Sequence, residues 1–184
     1  MHADEETRSG AARPAGPEDV AALVELVNSA YRGEGSKEGW TTEADLLGGQ
    51  RIDAEGVTAL LRAPGTTVLV AEAGGRLTVC CELKRSGDGD AYFGMFSVSP
   101  SAQGRGLGGA MMAEAEGYAA RVWGARRMRM LVIRQREELI AWYERRGYTR
   151  TGATSPFPYG DERFGVPRRD DLEFIELAKE LPGA

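Results

Sequence analysis

The stretch from Ala91 to Ile133 constrains the fold more tightly than any other part of the chain. An apolar run ending in Phe96-Ser97-Val98 is followed by a turn holding four glycines in six residues, Gly104 to Gly109. Leu107, Met111, Ala115, Tyr118 and Val122 then recur at helical spacing, and Met128 to Ile133 is apolar again. Strand, helix, strand in that order makes a crossover, which places the two strands parallel in one sheet.

The region before it has a different texture. Thr66 to Glu72, Leu77 to Leu83 and Ala91 to Val98 are joined by the turns Ala73-Gly74-Gly75-Arg76 and Ser86-Gly87-Asp88-Gly89, and read as an antiparallel meander. A meander feeding a parallel crossover predicts an α/β fold: a mixed central sheet with helices on both faces. Gly16-Pro17-Glu18-Asp19 opens a first helix with the stripe Val20, Leu23, Val24, Val27 and Tyr31, ending near Gly33. Asp53 caps a short second helix with Val57, Leu60 and Leu61, stopped at Pro64-Gly65. Gly124 ends the long crossover helix, and Glu137 to Arg146 is a further helix with acids first, arginines last and Gly147 as its stop. Tyr148 to Thr151 and Leu172 to Leu177 supply two closing strands.

Composition narrows the function classes. The 184 residues suit one compact domain, 14–184, behind a polar tail over 1–13 read as disordered. No apolar run approaches the roughly 20 residues that span a bilayer, and Met1 to Arg13 does not read as a signal sequence, so a cytoplasmic protein without a membrane partner is expected. A formal charge of −5 with no basic block argues against a general nucleic-acid binder. The one histidine, His2, lies in the tail, which disfavours histidine triads and histidine metal centres. Adjacent Cys80 and Cys81 read as buried reduced thiols, because a disulfide between neighbours is strained and a metal site lacks further ligands. No metal is expected.

Glycines at a strand-to-helix junction let backbone N–H groups approach a ligand, and the helix start adds partial positive charge. The shared reading is an anion site for phosphate. Gly104-x-Gly106-x-x-Gly109 matches the dinucleotide fingerprint, but Ser99-Pro100-Ser101-Ala102-Gln103 intervenes and the following strand ends in Arg134 rather than in an acid. The nucleotide P-loop fails because no Gly-Lys-Ser/Thr follows.

At these residues the chain resembles the GCN5-related N-acetyltransferases, the GNAT family. Gln103-Gly104-Arg105-Gly106-Leu107-Gly108, preceded by Val98-x-Pro100, looks like the family signature, and Leu139 to Tyr148 looks like its helix in which a tyrosine precedes a Gly-aromatic pair. The resemblance spans about Tyr92 to Thr151. It implies acetyl-coenzyme A as acyl donor, its pyrophosphate held by backbone amides from Gln103 through Gly104, Arg105, Gly106, Leu107, Gly108 and Gly109. Its pantetheine arm would lie as a surrogate strand against Phe96, Ser97 and Val98. A neutral primary amine would attack the thioester directly in a ternary complex. A backbone N–H beside Val98 would stabilise the oxyanion, and Tyr143 would protonate the leaving sulfur. Arg136 stands where the family often has asparagine. Tyr92 occupies the place of a glutamate base, leaving Glu82, Asp90, Glu43 or ordered water for that role.

The loop Ser36 to Gln50 and the segment Ser155 to Pro167 are longer than ordinary connections and mix aromatics with charge, which marks them as functional. Trp40, Glu43, Phe157 and Tyr159 are therefore the candidate acceptor-binding walls, with Trp40 equally readable as an anchor for its own loop. The expected partner is a small-molecule or peptide amine, and a homodimer is compatible with this reading. A non-catalytic acyl-coenzyme A binding module and a nicotinamide-dependent oxidoreductase are the rival readings.

Overall fold

The computed structural model describes residues 10–31, 47–48, 51–160 and 166–183. The elements, in chain order, are β1 (Arg13–Pro14), α1 (Val20–Tyr31), β2 (Leu47–Gly48), α2 (Ala54–Arg62), β3 (Thr66–Ala73), β4 (Arg76–Arg85) and β5 (Asp90–Val98). They continue with α3 (Leu107–Trp123), β6 (Arg127–Ile133), α4 (Glu137–Glu144), β7 (Thr149–Pro156), β8 (Val166–Pro167) and β9 (Glu173–Glu180). Among the described residues a seven-stranded sheet runs β1-β3-β4-β5-β6-β9-β7, and β2 pairs with β8 beside it. The β3-β4-β5 meander is antiparallel, and β5 and β6, joined by the α3 crossover, are parallel.

Period-two alternation in the central strands explains the two layers. Val68, Val70, Cys80 and Met95 face α1 and α2, where Leu23, Leu26, Val27 and Val57 fill one core. Their strand neighbours Leu69, Ala71, Cys81 and Phe96 face α3 and α4, where Met111, Met112, Ala115, Ile140 and Tyr143 fill the other. Adjacent Cys80 and Cys81 therefore enter opposite cores, and both are free and buried. Burial pushes the Cys80 thiol up to about 12, so it packs as a small apolar group rather than reacting.

The ends of the helices follow the capping expected of them. The Asp53 carboxylate accepts from the Gly56 N–H at 2.8 Å, and Gly124 closes α3 in the left-handed region at φ 63°. The chain is ordered earlier than composition suggests. Gly10 N–H donates to the Glu72 carbonyl at 2.6 Å, and Arg13 grips Asp19 through two bonds of 2.9 and 3.0 Å while reaching Glu72 at 2.6 Å. Polar composition misled here because the tail's last residues gain edge-strand bonds and a charge partner that only the folded sheet supplies. The rest of the expected tail lies outside the described residues.

Candidate active site

The site is built where β5 and β6 stop pairing. They match over only three positions, Asp90 to Arg127, Ala91 to Met128 and Tyr92 to Arg129. Beyond these, β5 stays bonded to β4 and β6 to β9, so the two parallel strands part. The cause sits in β5: Met95 takes φ 48°, unusual for a residue with a side chain, and the β4–β5 register shifts between Cys80 and Glu82. One extra residue in β5 makes a bulge, which bends the strand away from its neighbour. At the closed end, Asp90 accepts from Arg127 at 2.7 Å and from Arg129 at 3.2 Å, and these guanidiniums hold its carboxyl below the usual range. Asp90 is thereby a clamp on the paired end, not a base near the opening.

Between the parted strands lies a cleft of about 110 Å³ lined from both faces of the sheet. Phe96, Leu139 and Tyr143 line it on the α4 side, Tyr31 and Arg51 on the α1 side, with Gly94, Met95, Arg136 and Phe174 completing the wall. Tyr143 is almost fully buried, edge-on to Trp142 at 5.3 Å and to Tyr148 at 5.9 Å. Burial drives its hydroxyl well above the ordinary phenol value, so it stays a proton donor over the working range of pH. It is both a core residue and a wall of the cleft. Those two readings, opposed in sequence, coexist because the core itself opens here.

Next to the cleft, on the α3 and α4 face, a groove of about 500 Å³ is lined by Val98, Gln103, Gly104, Gly106, Leu107, Gly108 and Gly109 from the loop, and by Glu138, Trp142, Arg145 and Arg146 from α4. The side-chain N–H of Gln103 donates to the Val98 carbonyl at 3.0 Å and pins the loop to the strand end. Gly104 and Gly106 take φ 83° and 76°, which any side chain would strain. The first α3 bond, Ala110 N–H to Gly106 carbonyl at 3.1 Å, leaves the N–H groups of Leu107, Gly108 and Gly109 without an intrahelical acceptor. Gly108 serves packing as well: an added Cβ would lie 3.0 Å from Phe96 and 3.5 Å from Trp142.

Across the groove the Arg146 guanidinium lies 3.4 Å from the Trp142 ring centroid and donates to the Trp142 carbonyl at 3.1 Å. Burial and the neighbouring Arg145 both disfavour its charge, a cost that a bound anion would relieve. Amide cradle, helix start and paired arginines make a site whose chemistry fits a polyphosphate. Glu138, Trp142, Arg145 and Arg146 share one face of α4 at spacings of four, three and four, a pattern present in the sequence but not singled out.

Other expected residues fall elsewhere. Ser97 is fully buried with its hydroxyl donating to the Met95 carbonyl at 3.2 Å, and Arg105 is exposed beside the groove without lining it. Phe157 is buried in a satellite cluster with Ile133, Leu172 and Phe174, so Phe174 rather than Phe157 reaches the cleft. The Tyr159 hydroxyl accepts from Leu172 N–H at 2.8 Å and donates to the Arg169 carbonyl at 3.1 Å, tying down its own connection away from the cleft. Trp40 and Glu43 lie outside the described residues. Their two connections do meet, through Leu47 opposite Pro167 and Gly48 opposite Val166. Among the acids that sequence left open, Glu82 lies across β4 from Gly94, on the same sheet face as Tyr31, and burial raises its carboxyl above the usual range.

Parted parallel strands beside a glycine-rich amide cradle define a class of acyl-carrier enzymes in which the donor threads the sheet. Residues 64–150 match the family model described as the acetyltransferase (GNAT) domain, and through that segment the chain belongs to the GNAT family. The Salmonella typhimurium protein yncA, solved with its cofactor acetyl-CoA, is 25% identical, with 95% of each chain covered at a TM-score of 0.67. The ribosomal-protein-alanine N-acetyltransferase of Escherichia coli, 14% identical, shares the fold over 95% of each chain at a TM-score of 0.68. Nourseothricin acetyltransferase, 24% identical, is covered over 67% of its chain and 65% of this one at a TM-score of 0.56. No curated protein matches the sequence.

Proposed function

We propose that the protein transfers an acetyl group from acetyl-coenzyme A to a primary amine by direct attack within a ternary complex. One observation carries this reading: the sheet opens after three β5–β6 pairs, and the opening joins the amide cradle on one face to Tyr143 at its centre. The donor supplies an activated thioester. Backbone amides from Gly104 to Gly109, with Arg145 and Arg146, would hold its pyrophosphate, and the free edge of β5 near Phe96 to Val98 would hold its arm.

The remaining chemistry belongs to side chains of this protein. The amine nitrogen attacks the thioester carbon, the C–S bond breaks, and the sulfur leaves with a proton from Tyr143, whose buried hydroxyl is kept protonated. The proton lost by the amine passes to Glu82, directly or through water, since burial has raised its basicity toward neutral pH. Orientation in the narrow cleft contributes much of the rate. Among the described residues no helix is long and apolar enough to cross a membrane. Free Cys80 and Cys81 support a reducing compartment, the cytoplasm. Calorimetric titration with acetyl-coenzyme A, coenzyme A and NAD(P), followed by amine-dependent thiol release, tests the proposal. Binding of NAD(P) in preference to coenzyme A, or thiol release indifferent to every amine, would remove it.

A further inference from the structure

Two charged side chains line the cleft among the described residues, and both are guanidiniums, Arg51 and Arg136. They come from opposite ends of the fold and meet over one ring. The Arg51 guanidinium lies 5.8 Å and that of Arg136 5.4 Å from the centroid of Tyr31. Arg51 is held there by its backbone. Asn28 on α1 accepts from the N–H groups of Arg51 and Ile52 at 2.6 and 3.2 Å and donates to the Ile52 carbonyl at 2.9 Å. Arg136, at the head of α4, donates its N–H to the Ile133 carbonyl at 2.9 Å and is only 9% exposed. Stiff backbones carrying charged heads into a narrow opening are costly unless an anion shares the space.

The acid nearest this mouth does not take that place. Glu82 feels the positive charge of Arg51, yet among the described residues its carboxylate makes no hydrogen bond or ion pair, and the Arg51 guanidinium makes none either. A carboxylate and a guanidinium in electrostatic reach, but unpaired, leave a gap with one negative and one positive wall. An acceptor carrying an amine and an acid group on adjacent carbons matches both walls at once. Its amine would face Glu82 and the thioester, and its anionic group the arginines, with five N–H donors on each guanidinium for planar recognition.

We infer that the acceptor is a small amino acid, its amine acetylated while its carboxylate is held by Arg51 with Arg136 beside Tyr31. This rests on the acetyl transfer proposed above and narrows its substrate. Polyamines are disfavoured, because a second ammonium would meet two guanidiniums. Peptide amino termini are disfavoured, because their carboxylate has become an amide.

The test is acceptor-dependent thiol release from acetyl-coenzyme A with a panel of free amino acids, each beside its methyl ester and its decarboxylated amine, with spermidine as a further probe. The free acid should exceed its ester by about 10- to 100-fold in kcat/KM, the range expected for charged hydrogen bonds. Arg51→Gln should erase that preference mainly through KM, and Arg51→Lys should restore part of it. Retained acetyl-coenzyme A affinity would show that each variant is folded. Equal use of esters, preference for spermidine, or no acetylation of any free amino acid by a protein that binds acetyl-coenzyme A would overturn the acceptor class alone. Failure to bind acetyl-coenzyme A would instead overturn the transfer reaction, and the inference with it.

Discussion

Tyr143 illustrates how a single side chain serves two levels of the structure. Its ring packs on Phe93, Phe96, Trp142 and Tyr148, so removing the ring would empty the core, whereas removing the hydroxyl leaves the packing intact. Tyr143→Phe should therefore bind acetyl-coenzyme A as the parent does and turn over about 100-fold more slowly, the usual reach of general acid catalysis. Stopped-flow or steady-state thiol release with a saturating amine measures it, and parental turnover would return the residue to packing alone. Glu82 makes a pH prediction. Desolvation raises its carboxyl, opposed by Arg51 and Lys84, and Tyr31 and Arg136 line the adjoining cleft. As pH falls the group protonates and ceases to accept a proton, so turnover should decline on the acid side at a pH above the ordinary carboxylate value. Glu82→Gln should lower turnover and flatten that limb, whereas an unchanged limb would assign it to another group. Tyr143 should add no alkaline limb in the same range, because burial raises its hydroxyl.

At the scale of elements, the glycine loop and α3 act as one device with two kinds of glycine. Gly106 caps α3 at φ 76° with nothing within 4 Å of an added Cβ, while Gly108 is buried in the helix against Phe96 and Trp142. Gly106→Glu should fold, at a cost of about 1–2 kcal/mol for the left-handed conformation, and lose coenzyme A binding because its carboxylate stands where phosphate is held. Gly108→Glu should lower the melting temperature sharply, because its side chain drives into the aromatic cluster. Calorimetry with a thermal melt separates the two outcomes. Equal stability of the variants would show that Gly108 is not a packing position. The need for glycine here is readable in sequence, since the spacing alone calls for close backbone approach. Its division between conformation and packing is not, because Phe96 and Trp142 come from β5 and α4.

Across the whole molecule, the opening of the sheet depends on what holds its other end closed. Asp90, with Arg127 and Arg129, fastens the paired end of β5 and β6, and Arg129 continues to Glu176 on β9. The folded pKa of Asp90 is depressed, first through its hydrogen bond to Arg127, and that of Asp19 likewise through Arg13. Stability from these two groups is present above their unfolded value of about 4 and lost as pH falls through the folded values. Acid titration followed by circular dichroism should show unfolding set partly by these carboxylates. Asp90→Asn should lose up to about 3 kcal/mol at neutral pH, with partial exposure of Arg127 holding the loss below that of a fully buried pair, and should depend less on pH below 4. An unaltered acid transition in the variant would mean that the clamp contributes nothing.

Local patterns in the chain determined the meander, the crossover, the caps at Asp53 and Gly124 and the phosphate-holding loop, because each rests on residues close in sequence and on periods of two or 3.6. The edge strand at Arg13, the pairing of Leu47–Gly48 with Val166–Pro167, and the parting of β5 from β6 were decided only by the tertiary structure. A polar residue joins a strand edge when a partner's carbonyls and carboxylates stand opposite, as Glu72 and Asp19 do for Arg13. Glu82 and Asp90 are alike in sequence as acids on neighbouring strands. One became a clamp and the other an unpaired carboxylate because Arg127 and Arg129 arrive beside Asp90 from 37 and 39 residues away. Charge environment is a property of what folds alongside a residue, and no reading of its sequence neighbours supplies it.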